Sequence, residues 1–259
     1  MRITPLYGEG RYKIIGKKGF NDMTDRHSVA PERCPHLSTL MPELWALLDE
    51  REREQLLIGV SFYVFQKGEV IFEVDSTPKY CYILAKGQVK ISKDGIGEKS
   101  QILRMIRPLD FFGIQAYFSG QNNSSNAVAI CRSMVCILPI HVLESIILSN
   151  ARVGLFFIQK LARKLFETDQ LTISLAQKHT RGRLAESLLM LKAKYGLEPD
   201  NATISIYLSR QELADLSNMT ASNAIRTLYS FEEEQVIALD GRKIKIMDED
   251  KLREISKMG

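Results

Sequence analysis

Residues able to do chemistry gather in the last quarter of this 259-residue chain. Ser209-Arg210-Gln211-Glu212 has the S-x-x-E spacing of a capping box, so it opens a short helix carrying Leu213 and Leu216. Asn218-Met219 predicts a tight turn, because asparagine tolerates the left-handed backbone that such turns use. Thr220 then caps a second helix, with Ala224, Ile225 and Leu228 expected to face inward. Val236-Ile237-Ala238-Leu239, the turn pair Asp240-Gly241, and Lys243-Ile244-Lys245-Ile246 read as a β-hairpin. Short helix, turn, helix and hairpin is the order of a winged helix-turn-helix, which places its second helix in the major groove of duplex DNA. The base-contact candidates are Ala221, Ser222 and Arg226, and Arg226 is the one suited to a bidentate contact with guanine. Arg210, Thr220, Asn223, Arg242 and Lys243 stand where phosphates would be met. The acidic run Glu232-Glu233-Glu234 reads as a solvated face at the far end of the helix.

Other chemistries find less support. The four histidines, His27, His36, His141 and His179, all fall outside the β-favouring region 59–139. A cupin-type metalloenzyme needs clustered histidines and a carboxylate on barrel strands, so this pattern opposes it. No nucleophile–base pair stands out, and no catalysis is expected. Cys34, Cys81, Cys131 and Cys136 are scattered without C-x-x-C spacing. That usage suits reduced, mostly buried thiols and a cytoplasmic protein.

The elements that must position these residues are legible from periodicity. Residues 1–36 read as a polar, basic tail, and helical spacing runs from Leu37 to about Ile58. Between Gly59 and Pro139, short β-favouring runs such as Val70-Ile71-Phe72, Tyr80-Cys81-Tyr82-Ile83-Leu84 and Met134-Val135-Cys136-Ile137-Leu138 alternate with glycines. That spacing predicts an antiparallel sandwich or barrel. After a short helix around Val142–Ile147, a longer one runs from about Arg152 to Lys178 with Leu155, Ile158, Leu161, Ala162, Leu165, Leu171 and Leu175 as its apolar stripe. The stripe exceeds what a small barrel covers, and a second copy of the helix is the economical cover, giving a two-fold homodimer. The net charge of +4 permits an anionic partner, and no window is apolar enough to span a bilayer, so no membrane partner is expected.

The chain from about Cys34 onward resembles the Crp–Fnr regulators. The resemblance is carried by Lys67-Gly68-Glu69, Tyr82-Ile83-Leu84-Ala85-Lys86-Gly87, Asp110-Phe111-Phe112-Gly113, Leu161-Ala162-Arg163-Lys164-Leu165, Arg181-Gly182-Arg183-Leu184-Ala185 and Leu208-Ser209-Arg210-Gln211-Glu212-Leu213-Ala214, in this order. It implies an α+β architecture: an N-terminal antiparallel β-roll of the cyclic-nucleotide-binding type, a long dimerisation helix, and the C-terminal winged helix-turn-helix. The implied divisions are a tail over 1–36, a sensor over 37–150, the central helix over 151–178 and the DNA-binding domain over 179–259. It implies a dimeric transcription regulator that binds palindromic duplex DNA, with RNA polymerase as a further partner.

In cyclic-AMP-binding members, the resemblance places a glycine–glutamate pair and an arginine around the ribose and the cyclic phosphate. Here Gly113 is followed by Ile114, and the arginine position falls at about Ser125, followed by Asn126 and Ala127. A buried phosphate without a cation is costly, so cyclic AMP is not expected. The candidate effector pocket comprises Phe112, Gly113, Ile114, Ser125, Asn126 and Ala127, with Thr168 and Asp169 from the central helix. An Fnr-like iron–sulfur cluster needs cysteines clustered near the N-terminus, and only Cys34 is there. Haem needs one or two ligands, for which His36, His141, His179, Cys81 or a methionine are candidates. A haem or gas sensor, a sensor of another small molecule, a ligand-independent regulator, and a cyclic-nucleotide module serving a partner protein remain alternatives at this stage.

Overall fold

A computed structural model describes residues 34–95 and 100–258. The expected tail therefore lies outside the described residues as far as position 33, as do Gly97 and its neighbours. The expected helix over 37–58 is three: α1 (Leu37–Leu40), α2 (Pro42–Trp45) and α3 (Glu50–Gly59). Local chemistry divides them. Pro42 has no N–H to continue α1 and starts α2, while Asp49 and Glu52 form a capping box that starts α3 afresh.

Eight strands follow: β1 (Ser61–Phe65), β2 (Val70–Phe72), β3 (Tyr80–Lys86), β4 (Val89–Asp94), β5 (Ser100–Ile106), β6 (Phe111–Phe112), β7 (Asn126–Ala129) and β8 (Ser133–Pro139). Helix α4 (Ile114–Phe118) interrupts them after β6. One antiparallel sheet has the order β1-β8-β3-β6, and β2 pairs with β7 in a second. Strand β3 is apolar without alternation, with Cys81, Tyr82, Ile83 and Leu84 all buried, because both of its faces are covered. Gly87 ends β3 at φ +98°, and a Cβ there would lie 2.6 Å from the Ser133 backbone, so the β3–β4 turn admits glycine alone.

Helix α5 (Ile140–Ser149) leads to α6 (Ala151–Gln177), one continuous helix of 27 residues. Then come α7 (Thr180–Tyr195), α8 (Arg210–Leu216), α9 (Ala221–Glu233), the hairpin β9 (Ile237–Asp240) and β10 (Lys243–Ile246), and α10 (Glu249–Met258). The fold is thus a jelly-roll domain, a long helix and a C-terminal helix-turn-helix with its wing. No single helix among the described residues is long and apolar enough to cross a membrane.

The described residues form two compact units, one taking Pro108–Lys160 with the described residues up to Val89, the other taking the described residues of Lys90–Arg107 with those from Leu161 onward. The second unit therefore includes β4 and β5 beside the C-terminal helices. Four successive residues of α8, Leu213 to Leu216, are buried, which is more than one helical face provides. β5 packs against α8 and supplies the further cover.

Candidate nucleic-acid interface and effector pocket

The interface is built on two capped helices. Ser209 accepts from the Glu212 amide at 3.2 Å and the Glu212 carboxylate accepts from the Ser209 amide at 2.7 Å, so the expected capping box starts α8. Asn218 adopts φ +50°, the left-handed turn residue that the sequence predicts. The Thr220 hydroxyl accepts from the Asn223 amide at 3.3 Å and caps α9. Ala224, Leu228 and Phe231 form the buried stripe of α9. Ile225, expected inside, is 38% exposed: it lies one residue from Ala224, about 100° around the helix, outside an i, i+4, i+7 stripe. With Ser222, Arg226, Tyr229, Ser230 and Glu233 it lines an open groove along the outer face of α9.

The predicted contact residues do not all stand free. Arg226 and Ser222 are exposed and Ala221 is half-buried on the first turn of α9. Arg226 donates from Nη2 to Asn223 Oδ1 at 2.9 Å, which engages the Asn223 carbonyl. Arg210, the first residue of α8, reaches the wing and donates from Nη2 to the Gly241 carbonyl at 2.8 Å. Its Nη1 is buried without a hydrogen-bond partner. Arg242 is exposed, and Lys243 holds its ammonium 5.7 Å from the centre of the Tyr207 ring. Lys243 pairs with Asp240 across the hairpin, so the loop residues are Gly241-Arg242, one position beyond the expected Asp240-Gly241. Gly241, at φ +56°, takes the first loop position.

Arg181 and Arg183, which stand outside the expected contact residues, hold this assembly together. Arg183 of α7 donates to three carbonyls: Nε to Ser217 at 3.0 Å, Nη2 to Asn218 at 3.0 Å and Nη1 to Lys178 at 2.8 Å. One side chain thus ties the turn between α8 and α9 to the end of the long helix. Glu186 reinforces that joint, accepting from Lys178 Nζ at 2.9 Å and from the buried Ser174 hydroxyl. Arg181 grips both carboxylate oxygens of Glu234, at 2.7 and 2.6 Å, and lies 4.7 Å over the Phe231 ring. That bond holds the Glu234 carboxyl below the usual carboxylate range. Glu232 also accepts from the Leu239 amide at 2.9 Å. Only Glu233 of the acidic run keeps the solvated role expected of all three, because the other two join α9 to its neighbours.

The candidate pocket residues of the roll are mostly enclosed. Phe112, Ile114, Ser125 and Ala127 are buried. Phe112 stacks on Tyr82 at 5.2 Å between ring centres, and Phe72 lies 5.4 Å from Tyr82. Gly113 has φ +81°, and a Cβ on it would meet the Tyr82 ring at 2.5 Å. Asn126 uses its side-chain carbonyl to accept from the Val74 amide at 2.7 Å. Neighbouring Asn123 donates to the Ser76 hydroxyl at 3.0 Å, so these polar side chains fasten loops. No lysine or arginine occurs between Arg107 and Arg132. Burial pushes the Tyr82 phenol well above its ordinary range, so it brings no charge either. Thr168 and Asp169 are exposed on α6 in the other unit, and the Thr168 hydroxyl donates to the Lys164 carbonyl at 2.9 Å.

Residues 63–150 match the family model of the cyclic nucleotide-binding domain, and residues 182–255 match that of the Crp-like helix-turn-helix domain. The chain belongs to the Crp–Fnr family. Among its relatives, a global nitrogen regulator from Synechococcus elongatus is 25% identical over 187 residues, covering 71% of this chain and 84% of the relative. A CRP-like cAMP-activated global transcriptional regulator from Mycobacterium tuberculosis is 25% identical over 189 residues, covering 73% and 84%. The structure of FixK2 from Bradyrhizobium japonicum superposes with a TM-score of 0.69 at 22% identity, covering 76% of this chain and 96% of that one. The Crp–Fnr membership makes the chain a transcription regulator rather than an enzyme.

In this Crp–Fnr regulator the haem candidates are dispersed. His36 caps α1 and bonds Ser38, Cys81 is fully buried, His141 is exposed on α5, and His179 is exposed just before α7. Burial pushes the Cys81 and Cys136 thiols up, which keeps them protonated. Of the four thiols expected to be mostly buried, Cys34 and Cys131 are half-buried. Among the described residues no group of three His, Cys, Asp or Glu side chains is placed to hold a metal ion.

Proposed function

We propose that this regulator works in the cytoplasm as a homodimer on a palindromic duplex operator, with the first turns of α9 in the major groove and Arg226 against guanine. The observation that carries the reading is the outer face of α9, which leaves Ser222, Ile225 and Arg226 exposed at the capped end of a helix whose other face is buried. Arg242 and Lys243 on the wing supply cations for flanking phosphates, and Thr220, exposed at the start of α9, offers a hydroxyl for another. RNA polymerase is the partner through which such a dimer would act on transcription.

Dimerisation is supported by α6. Leu155, Ile158, Leu165, Phe166 and Ile173 are each about half exposed or more. Leu155, Ile158, Ala162 and Leu165 follow the alternating three- and four-residue steps of a coiled-coil seam, which Asp169 and Thr172 then continue as polar positions. A second copy covers this stripe.

The sensor half, residues 37–150, responds to an effector other than cyclic AMP. Residues 108–131, which carry most of the candidate pocket, include no lysine or arginine, and the Tyr82 and Phe112 rings stack on one another. Selection of random duplexes by the full chain tests the operator reading; a palindrome supports it, and salt-sensitive, sequence-blind binding overturns it. Calorimetry with cyclic AMP is expected to be silent, and micromolar binding would overturn the pocket reading.

A further inference from the structure

We infer that Asn223 is a specificity-determining partner of Arg226 rather than a phosphate contact, and that the pair reads two adjacent hydrogen-bond acceptors in the major groove. The inference rests on the operator reading above. It begins with atom types. A guanidinium carries only donors, so the Asn223 atom that meets Arg226 Nη2 at 2.9 Å has to be the carbonyl oxygen. The Asn223 amide nitrogen, with its two hydrogens, is left for another partner.

That assignment restricts what Asn223 can recognise. Reading adenine requires both ends of the side-chain amide, the oxygen accepting from N6 and the nitrogen donating to N7. Here the oxygen is committed to Arg226, so the adenine mode is closed while the pair is intact. The remaining surface consists of donors alone: the free guanidinium N–H groups and the Asn223 amide nitrogen. Guanine O6 and N7 match the guanidinium, and guanine O6 or thymine O4 match a single amide donor.

The backbone places the two side chains suitably for neighbouring bases. Thr220 holds the Asn223 amide, which puts Asn223 at the third position of α9 and Arg226 one turn later. Three residues advance a helix by about 4.5 Å, close to the roughly 3.4 Å between base pairs. A phosphate oxygen would accept from the same side-chain nitrogen, but such a contact strengthens binding equally on every sequence, whereas a base contact acts at one pair. Exposed Ser222 and Ile225 take no part in the bond.

The test is a full base-substitution matrix of the selected operator half-site, measured with the wild type, Arg226→Ala, Asn223→Ala, Asn223→Asp and both alanines together. Arg226→Ala is expected to reduce preference for its guanine by about 5- to 150-fold. Asn223→Ala is expected to lose about 3- to 10-fold of that same preference, together with the acceptor preference at the adjacent pair. Asn223→Asp keeps an acceptor for Arg226 and retains the guanine preference, though overall affinity falls through repulsion from phosphate. The double alanine variant is expected to lose less than the product of the single effects. An Asn223→Ala variant weakened equally on every sequence, or an adenine preference at the adjacent pair that disappears with Asn223, overturns the inference. Sequence-blind binding by the wild type overturns the operator reading instead, so the two failures are distinct.

Discussion

Removing the Arg183 side chain tests the architecture most directly. Its guanidinium donates to the carbonyls of Lys178, Ser217 and Asn218 at 2.8 to 3.0 Å. Ser217 is 2% exposed, so its carbonyl would lose a charged donor in a place water reaches poorly, at a cost of roughly 1–3 kcal/mol. Water can replace the donors at Lys178 and Asn218, which adds about 0.5 kcal/mol each. Asn218 also holds the left-handed backbone at φ +50°, an intrinsically unfavourable conformation that the guanidinium helps to fix. Arg183→Ala should therefore destabilise the DNA-binding region by about 2–4 kcal/mol, lowering its melting transition by roughly 4–16 °C. Arg183→Lys should recover no more than a minor part, because one ammonium cannot span three carbonyls held by a planar fork. Calorimetry of the full chain reads the transition, and hydrogen exchange at the amides of 217–220 reads the turn. An alanine variant that melts within a degree of the wild type, with unchanged exchange in the turn, would refute the reasoning. Full rescue by lysine would show that charge, not the fork, carries the effect.

Three further outcomes follow from single side chains. Burial raises the Asp215 carboxyl, with the Gln211 amide opposing it and Lys90, Asp94 and Glu212 nearby. The folded state binds this proton more tightly than the unfolded chain, so stability from this group is highest below the unfolded pKa and declines as pH rises through the folded one; Asp215→Asn should flatten that dependence in thermal melts and gain most at neutral pH. Gly113→Ala should cost about 2–4 kcal/mol in urea unfolding of the roll, from a Cβ placed 2.5 Å from the Tyr82 ring and a left-handed φ; an unchanged midpoint would show that the rings yield freely. Leu165→Glu should shift sedimentation toward the monomer by placing a charge in the α6 stripe, and a persistent dimer would move the interface elsewhere.

Legibility in the sequence follows the range of the interaction. The Ser209–Glu212 box, the Asn218 turn and the Thr220 cap each close within three or four residues, and each is found where the spacing places it. Arg183 meets Ser217 and Asn218 from 34 and 35 residues away, and Arg210 meets Gly241 from 31. No periodicity encodes such pairs; they exist only after the helices pack. The inward assignment of Ile225 failed because a pattern fixes a stripe to within about one residue, and a neighbour 100° away still looks apolar. Asn223 was read by its position in the motif, whereas its role depends on the rotamer that meets Arg226. In the roll, the missing cation was visible directly, while the stacking of Phe72, Tyr82 and Phe112 depends on strands that pair across the sheet.

The joint around Lys178 has an energy suited to regulation. Allosteric coupling between two sites is typically about 1–3 kcal/mol, far below the stability of a domain. The bonds from Glu186 to Ser174 in the last turn of α6, and from Arg183 and Glu186 to Lys178 just beyond it, are few, polar and directional. An apolar joint of similar strength would tolerate small sliding motions, since burial depends on area and hardly on angle. Hydrogen bonds to fixed carbonyls weaken steeply once donor and acceptor are misaligned, so a modest turn of the helix end breaks them. The same guanidinium that holds the Lys178 carbonyl also holds those of Ser217 and Asn218, immediately before the cap of α9. A shift of the Lys178 carbonyl would therefore be felt at the Ser217 and Asn218 carbonyls through one side chain. The turn before α9 and the residue that follows α6 share one donor, the Arg183 guanidinium.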